Sequence, residues 1–256
     1  MKGDVILTLD KVTKSFGKQI VLDSLSIKFF EGETHVICGR SGVGKSTLIR
    51  CINFLEKIDK GEIWFYDLKV EQKTARDVRK RIAMVFQEFN LFPHMTLLEN
   101  AVLGPVYSLG ESRNEAERRA KELFERVNLQ DKINCYPYQL SGGQKQRAGI
   151  VRALNMNPQL ILFDEPTSAL DPEMIGEVVN VIKDLAKEGR SMIVVTHEMG
   201  FALEAADKIS FMEDGKILIT KSPKEFFAEP EYDTIRQFLR QILSTDNRDG
   251  RDSTNE

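Results

Sequence analysis

Short apolar runs rich in β-branched residues punctuate the chain: VILTL at 5–9, THVIC at 34–38, EIWFY at 62–66, IAMVF at 82–86, LILF at 160–163 and MIVVT at 192–196. Each has the length and composition of a strand. The runs at 34–38 and 160–163 do not alternate, which is the pattern of strands covered on both faces. Between the runs the period becomes helical. In 172–188 the residues Met174, Val178, Ile182 and Leu185 form one stripe, with Asp171 at the cap, Pro172 first in the helix and Gly189 just past its end. Strands alternating with helices predict an α/β core around a mainly parallel sheet.

Residues 96–157 interrupt that alternation. Ala116, Ala120, Leu123, Phe124 and Val127 line one face of a helix whose other face is charged, and a second helix turns Ile150, Val151 and Leu154 inward. The stretch reads as a helical insert between two core strands. Further on, ISFM and KILIT flank Asp214-Gly215, a hairpin signal. Ser222-Pro223-Lys224-Glu225 is a capping box opening a terminal helix with Phe226, Phe227, Phe238 and Leu239. The last dozen residues are polar and read as a frayed end.

Composition narrows the class. With 256 residues, 41% hydrophobic and 29% charged, the chain can bury a large core. A net charge of −3 predicts no general affinity for nucleic acid. Cys38, Cys51 and Cys135 are widely spaced, the usage of reduced thiols. The opening MKGDVILTLDKV is too short in its apolar part and too acidic for a signal peptide. No stretch approaches the ~18 apolar residues of a membrane span. Any work at a membrane is therefore expected to go through a partner.

Three segments carry chemistry. Gly39, Arg40, Ser41, Gly42, Val43, Gly44, Lys45, Ser46 and Thr47 spell a phosphate-binding loop between a strand and a helix with Leu48, Cys51, Ile52 and Leu55 at helical spacing. Its N–H groups can face phosphate oxygens, Lys45 can neutralise them, and Ser46 can ligate Mg²⁺. LILFDE ends a buried strand in Asp164, placed to hold Mg²⁺, and Glu165, placed to orient or deprotonate water. The segment LSGGQ at 140–144 then sets Ser141, Gly142, Gly143 and Gln144 at a helix N-terminus, where Ser141 can donate to a phosphate oxygen.

Single residues complete the set. His197 follows an apolar strand and can bridge a γ-phosphate and the attacking water. Gln87 ends the run IAMVF, where it can sense Mg²⁺ or water and move the insert, and Phe16 can stack on adenine or simply pack a strand end. His35 and His94 have no ligands at metal spacing and read as structural or surface residues. The run EAERRAKELFER reads as a solvated helix face, and Cys38 as core packing.

With these motifs in order, the chain resembles the ATP-binding subunits of ABC transporters over roughly residues 5–240, and in detail importers of polar amino acids. FQEFNLFPHMTLLEN at 86–100, LFDEPTSALDPE at 162–173 and VVTHEMGFA at 194–202 carry the finer likeness. The resemblance implies a P-loop NTPase (RecA-like) α/β core with an antiparallel β subdomain at 1–87 and 158–243. An inserted helical subdomain falls at 88–157 and a polar tail at 244–256. It also implies ATP and Mg²⁺ as ligands, a glutamine switch at Gln87, catalytic and metal acids at Glu165 and Asp164, a dimer-contact loop at 168–171 and a switch histidine at His197. The implied assembly is a homodimer sandwiching ATP, docked on permease subunits at the cytoplasmic face of the membrane and served by an extracytoplasmic solute-binding protein. Arg40 stands where the family usually has proline, Val43 where a smaller or polar residue is common, and Gly149 where a better helix former is usual. A soluble ABC-type ATPase of DNA repair or the ribosome, and an exporter or lipid-transport ATPase, remain alternatives. A GTPase is disfavoured by the lack of an Asn-Lys-x-Asp motif.

Overall fold

The computed structural model describes residues 3–228 and 232–246. Its strands in chain order are β1 (Val5–Phe16), β2 (Gln19–Phe30), β3 (Thr34–Cys38), β4 (Lys60–Phe65), β5 (Leu68–Lys69), β6 (Ile82–Val85), β7 (Leu160–Asp164), β8 (Met192–Val195), β9 (Lys208–Glu213) and β10 (Lys216–Lys221). They form two sheets. Four strands pair antiparallel in the order β2-β1-β4-β5, and six in the order β10-β9-β3-β8-β7-β6. In the larger sheet every pairing is parallel except β10 on β9.

Both faces of the parallel sheet are covered, which is why its strands do not alternate. Ile37, Leu162, Ile193 and Val195 face one core with the antiparallel sheet and helix α1 (Lys45–Ile52). Their neighbours Val36, Ile161, Phe163 and Val194 face a second core. That core includes α5 (Gly142–Leu154), α6 (Pro172–Lys187) and α9 (Asp233–Asp246). Each fully buried side chain of this kind stabilises the fold by about 1.5–3 kcal/mol relative to exposure. The sheet's carboxyl edge, where β3, β6, β7 and β8 all end, is left to loops.

Helices α3 (Leu97–Gly104) and α4 (Arg113–Arg126) gather a third cluster around Leu97, Ala120 and Phe124. Helix α5 is shared: Val151 joins this cluster, whereas Ile150 and Leu154 face the sheet. Buried Asn100 ties the turn before α3 together. Its Nδ2 donates to the carbonyls of Phe92, Met95 and Thr96, and its Oδ1 accepts from the Phe92 N–H.

Local signals read from the sequence hold in several places. Asp214 and Gly215 both take positive φ, as a tight hairpin turn between β9 and β10 requires. Ser222 and Glu225 close their capping box, with Ser222 N–H donating to Glu225 at 3.0 Å. Cys38 is buried in the core.

Other expectations need correction. The first strand runs on to Phe16, and its partner β2, not among the expected strands, splits its apolar residues into IVL and LSIKFF around Asp23-Ser24. Helix α1 ends at Ile52, so Leu55 is 43% exposed and not part of its stripe. The expected single terminal helix is two, α8 (Pro223–Ala228) and α9. Asp171 occupies the cap of α6 without a side-chain cap bond. The charged face of α4 is solvated, but Arg119 turns inward to Asn155 and Glu111. The tail expected at 244–256 lies mostly outside the described residues, and Asp246 still belongs to α9.

Candidate active site

The loop leaving β3 is pressed against the sheet before it turns into α1. Gly39 has φ +147, and a Cβ there would stand 2.2 Å from the Met212 carbonyl oxygen, so no other residue fits without moving β9. No described side chain caps the start of α1, whose first-turn amides remain available to a ligand. The loop walls a cavity of about 390 Å³ lined by Phe16, Val21, Ser41, Gly42, Gly44, Lys45, Ser46, Thr47 and Glu165.

Lys45 is the buried cation of this cavity, 4% exposed. Its ammonium donates to the carbonyls of Gly39 (2.9 Å) and Arg40 (3.0 Å) and lies 3.6 Å from Glu165 Oε1. Burial pulls its pKa down, opposed chiefly by the Glu165 charge.

Asp164 and Glu165 leave β7 in different directions. Asp164 is 1% exposed, and its Oδ1 has no hydrogen-bond partner. Burial raises its pKa, while the Ser46 hydroxyl bond and the Arg50 charge hold it down. A hydroxyl and a buried carboxylate with a free oxygen form the hard donor set that Mg²⁺ prefers. Among the described residues no three His, Cys, Asp or Glu side chains cluster as a metal cage. The fit is therefore to an ion shared with a phosphate-bearing ligand.

Glu165 takes φ +46, a left-handed conformation that costs a non-glycine residue about 1 kcal/mol or more. Its backbone is held there by its N–H to the Val195 carbonyl (2.9 Å) and by the Ser168 hydroxyl on its own carbonyl (3.0 Å). The side chain meets His197, whose Nε2 lies 3.1 Å from Oε1. That bond, above all, keeps the Glu165 pKa below the usual carboxylate value.

Gln87 is exposed and sits just past β6, which ends at Val85. With Asp164, Arg50, Phe86, Glu88 and Asn90 it lines an adjoining space of about 240 Å³. Ser46 lines the first space and Asp164 the second, so the hydroxyl and the carboxylate stand where the two meet. Phe16 is 48% exposed, and the Lys14 ammonium lies 4.7 Å from its ring centroid. Val43 packs on the core below the loop, and Arg40 points to α9 rather than into the cavity.

Residues 140–144 do not line the phosphate-loop cavity of their own chain. Ser141 caps α5 in a reciprocal box with Gln144: Gln144 N–H donates to the Ser141 hydroxyl at 3.3 Å, and Ser141 N–H to Gln144 Oε1 at 3.1 Å. A Cβ on Gly142 would come within 3.2 Å of Leu170 Cδ2, and one on Gly143 within 3.1 Å of Met174 Cβ. The glycines thus also let α5 sit on the start of α6, a packing role absent from the sequence reading.

Sequence reasoning missed Val21, Arg50 and Gln146. Arg50 Nε lies 3.8 Å from Asp164 Oδ2, and its position four residues after Ser46 on α1 was the available signal. Gln146 is fully buried and donates to the Phe86 carbonyl at 3.1 Å, tying α5 to the Gln87 segment. Nothing in the sequence pattern marks it.

The fold and site define an ATP-binding cassette, and the chain belongs to the ABC transporter family, whose pattern it matches over residues 22–168. It is 51% identical to the glutamine transport ATP-binding protein GlnQ of Geobacillus stearothermophilus, over 91% of this chain and 98% of that protein. It is 49% identical to the arginine transport ATP-binding protein ArtM of Bacillus subtilis, over 93% of this chain and 100% of that one. Among solved structures it is similar to a dimeric ATP-binding cassette in a post-hydrolysis state with ADP and Pi. That match has a TM-score of 0.76 and 34% identity, over 85% of this chain and 98% of the other. The Clostridium perfringens CbiO1 subunit of an ABC transporter complex matches with a TM-score of 0.79 and 27% identity, over 96% and 98% of the two chains. The chain is thus an ABC-type ATPase subunit that binds ATP.

Proposed function

We propose that this chain is the ATPase subunit of an importer of a polar amino acid, and that two copies close around ATP to drive a membrane permease. The observation that carries the site assignment is the ion pair of Lys45 and Glu165 inside the phosphate-loop cavity. In this reading the 39–47 backbone and Lys45 hold the phosphates, and Phe16 offers a ring face to the base. Ser46 and Asp164, with Gln87 at the mouth, would hold Mg²⁺, which when bound neutralises charge on the phosphate oxygens. Glu165 orients the attacking water and accepts its proton. The His197 bond that lowers its pKa also fixes its direction, which suits it to orienting the water. His197 keeps the Glu165 carboxylate in place.

The missing wall of the cavity is supplied by residues 141–144 of a second copy. The absence of these residues from their own chain's cavity supports that arrangement, as does the dimeric state named for the solved cassette. Helices α3 and α5, within a unit spanning 88–157, form with the core a groove of about 670 Å³. Phe92, Leu103, Tyr107, Met84, Arg79 and Met156 are among its lining. We assign it to a permease segment, which places the subunit at the cytoplasmic face of a membrane. No helix among the described residues is long and apolar enough to cross one. A solute-binding protein outside would deliver the cargo. The relatives' names point to an amino acid as that cargo and give no support to the repair, ribosome or export readings.

The test uses the Glu165→Gln chain. It should bind ATP, cease to turn it over, and run as a dimer with ATP and a monomer without. In cells, loss of the chain should cut uptake of labelled glutamine, arginine or cystine, and a tagged copy should bring down a permease. A Glu165→Gln chain with normal turnover would defeat the catalytic assignment, and unaltered uptake of all three amino acids would defeat the cargo assignment.

A further inference from the structure

The arginine that replaces the usual proline of the phosphate loop has a partner far along the chain. Arg40 Nη2 donates to Oε1 of Gln237 on α9, at 3.1 Å. The next residue, Phe238, is 3% exposed and packs edge-on against Phe211 of β9, ring centroids 5.2 Å apart. The Phe238 ring also lies beside the His197 imidazole, centroids 6.4 Å apart and planes inclined at 47°. Two consecutive residues of one helix thus touch two parts of the active site that are distant in sequence.

The contacts form a line from the sheet to the reacting carboxylate: Phe211, Phe238, His197, Glu165. The His197 side chain is 36% exposed and sits on a loop, so its ring has rotational freedom unless a wall removes it. Phe238 is that wall, and it is itself fixed by burial in the core that α9 shares with the sheet. The Arg40–Gln237 bond fastens the same turn of α9 to the loop that cradles phosphate. Movement of α9 would bear on the histidine through a packed ring and on the phosphate loop only through one exposed side-chain bond, so the aim of the histidine is the more sensitive.

We propose that α9 is a positioning element of the ATPase site, in which Phe238 holds the His197 imidazole against Glu165 and the Arg40–Gln237 bond ties the helix to the phosphate loop. The proposal rests on the reading of Glu165 and His197 given above. Phe238 touches neither nucleotide nor water in it and acts through the histidine.

The test compares Phe238→Leu and Gln237→Ala in the full chain, alone and combined with His197→Ala. The chain has three histidines, so the His197 imidazole signal in NMR is assigned by its loss in His197→Ala. Phe238→Leu should shift that signal, leave those of His35 and His94 in place, and lower kcat roughly tenfold with KM for ATP nearly unchanged. Added to His197→Ala, it should cost nothing more. Phe238→Met, closer in volume, serves if the leucine variant does not fold. Equal loss of kcat in both backgrounds, or an unmoved His197 signal, would overturn the positioning role. Gln237→Ala should shift the same signal and lower kcat about twofold; no change in either would remove the tie to the phosphate loop. Full activity in His197→Ala alone would count against the histidine's catalytic reading, a failure separable from that of α9 because the imidazole signal reports the packing directly.

Discussion

The Lys45 ammonium stands 3.6 Å from Oε1 of Glu165, so the cation proposed for phosphate and the carboxylate proposed for water are ion-pair partners. Neither depends on the other alone: Lys45 also donates to two loop carbonyls, and Glu165 also meets His197. In the proposed mechanism Lys45 trades this partner and two loop carbonyls for phosphate oxygens, which frees Glu165 to bind water.

Replacing Lys45 tests that exchange. Lys45→Met should weaken ATP binding by more than about tenfold, yet leave the melting temperature nearly unchanged, because burial works against the ammonium and the part-exposed Glu165 keeps His197 as its partner. Calorimetric titration and a thermal melt on the same sample measure the two effects. A large loss of stability with intact binding would contradict the assignment.

The sign of the Glu165 shift sets a pH dependence. Its folded pKa lies below the usual 4.5, so its contribution to stability is complete above that value and is lost as pH falls through the folded pKa. Wild type should therefore lose stability on acidification below about pH 4.5 more steeply than Glu165→Gln. Denaturant melts across that range, run on both chains, give the comparison.

Asp164 is the opposite case, a carboxylate whose burial is uncompensated on one oxygen. Asp164→Asn should abolish turnover and remove the dependence of nucleotide affinity on Mg²⁺. Stability should be equal or higher, by about 1 kcal/mol, since a neutral amide is cheaper to bury than a charge. Fluorescent-nucleotide titrations with Mg²⁺ or EDTA, alongside melts, would show it. A strongly destabilised variant would mean the carboxylate is structural.

The groove beside α3 offers a separable variant. Tyr107 is 76% exposed yet lines the groove, so Tyr107→Glu should leave folding and ATP binding unchanged. Recovery of permease with the tagged subunit should fall several-fold, since one charge in an apolar contact removes on the order of 1–2 kcal/mol. Pull-down from detergent extracts decides it; equal recovery would place the permease elsewhere.

Much of this architecture was legible because its signals are local. The non-alternating runs at 34–38 and 160–163 are buried on both faces, and Asp214-Gly215 makes its turn by backbone chemistry alone. The phosphate loop and the Asp164-Glu165 pair are contiguous in sequence, so their residue types and order announce them. What escaped depends on pairing over distance. β2 reads weakly because one side of its sheet meets solvent, whereas the division of the terminal helix had a local signal in Pro230, which a helix interior does not tolerate. The Gln146 bond to Phe86 and the packing of Gly143 on Met174 join segments 60 and 31 residues apart, which no window of sequence contains. Arg40 was visible as a departure, but its partner Gln237 lies 197 residues away.

The cavity that lacks residues 140–144 of its own chain carries a genetic consequence. A chain crippled at Lys45 and another crippled at Ser141 would each be dead in pure form. Mixed, they would assemble one whole chamber and one doubly broken chamber per pair. Co-expression of two null alleles should thus restore part of the ATPase activity, and either allele in excess over wild type should leave one whole chamber in each mixed pair and so not abolish it.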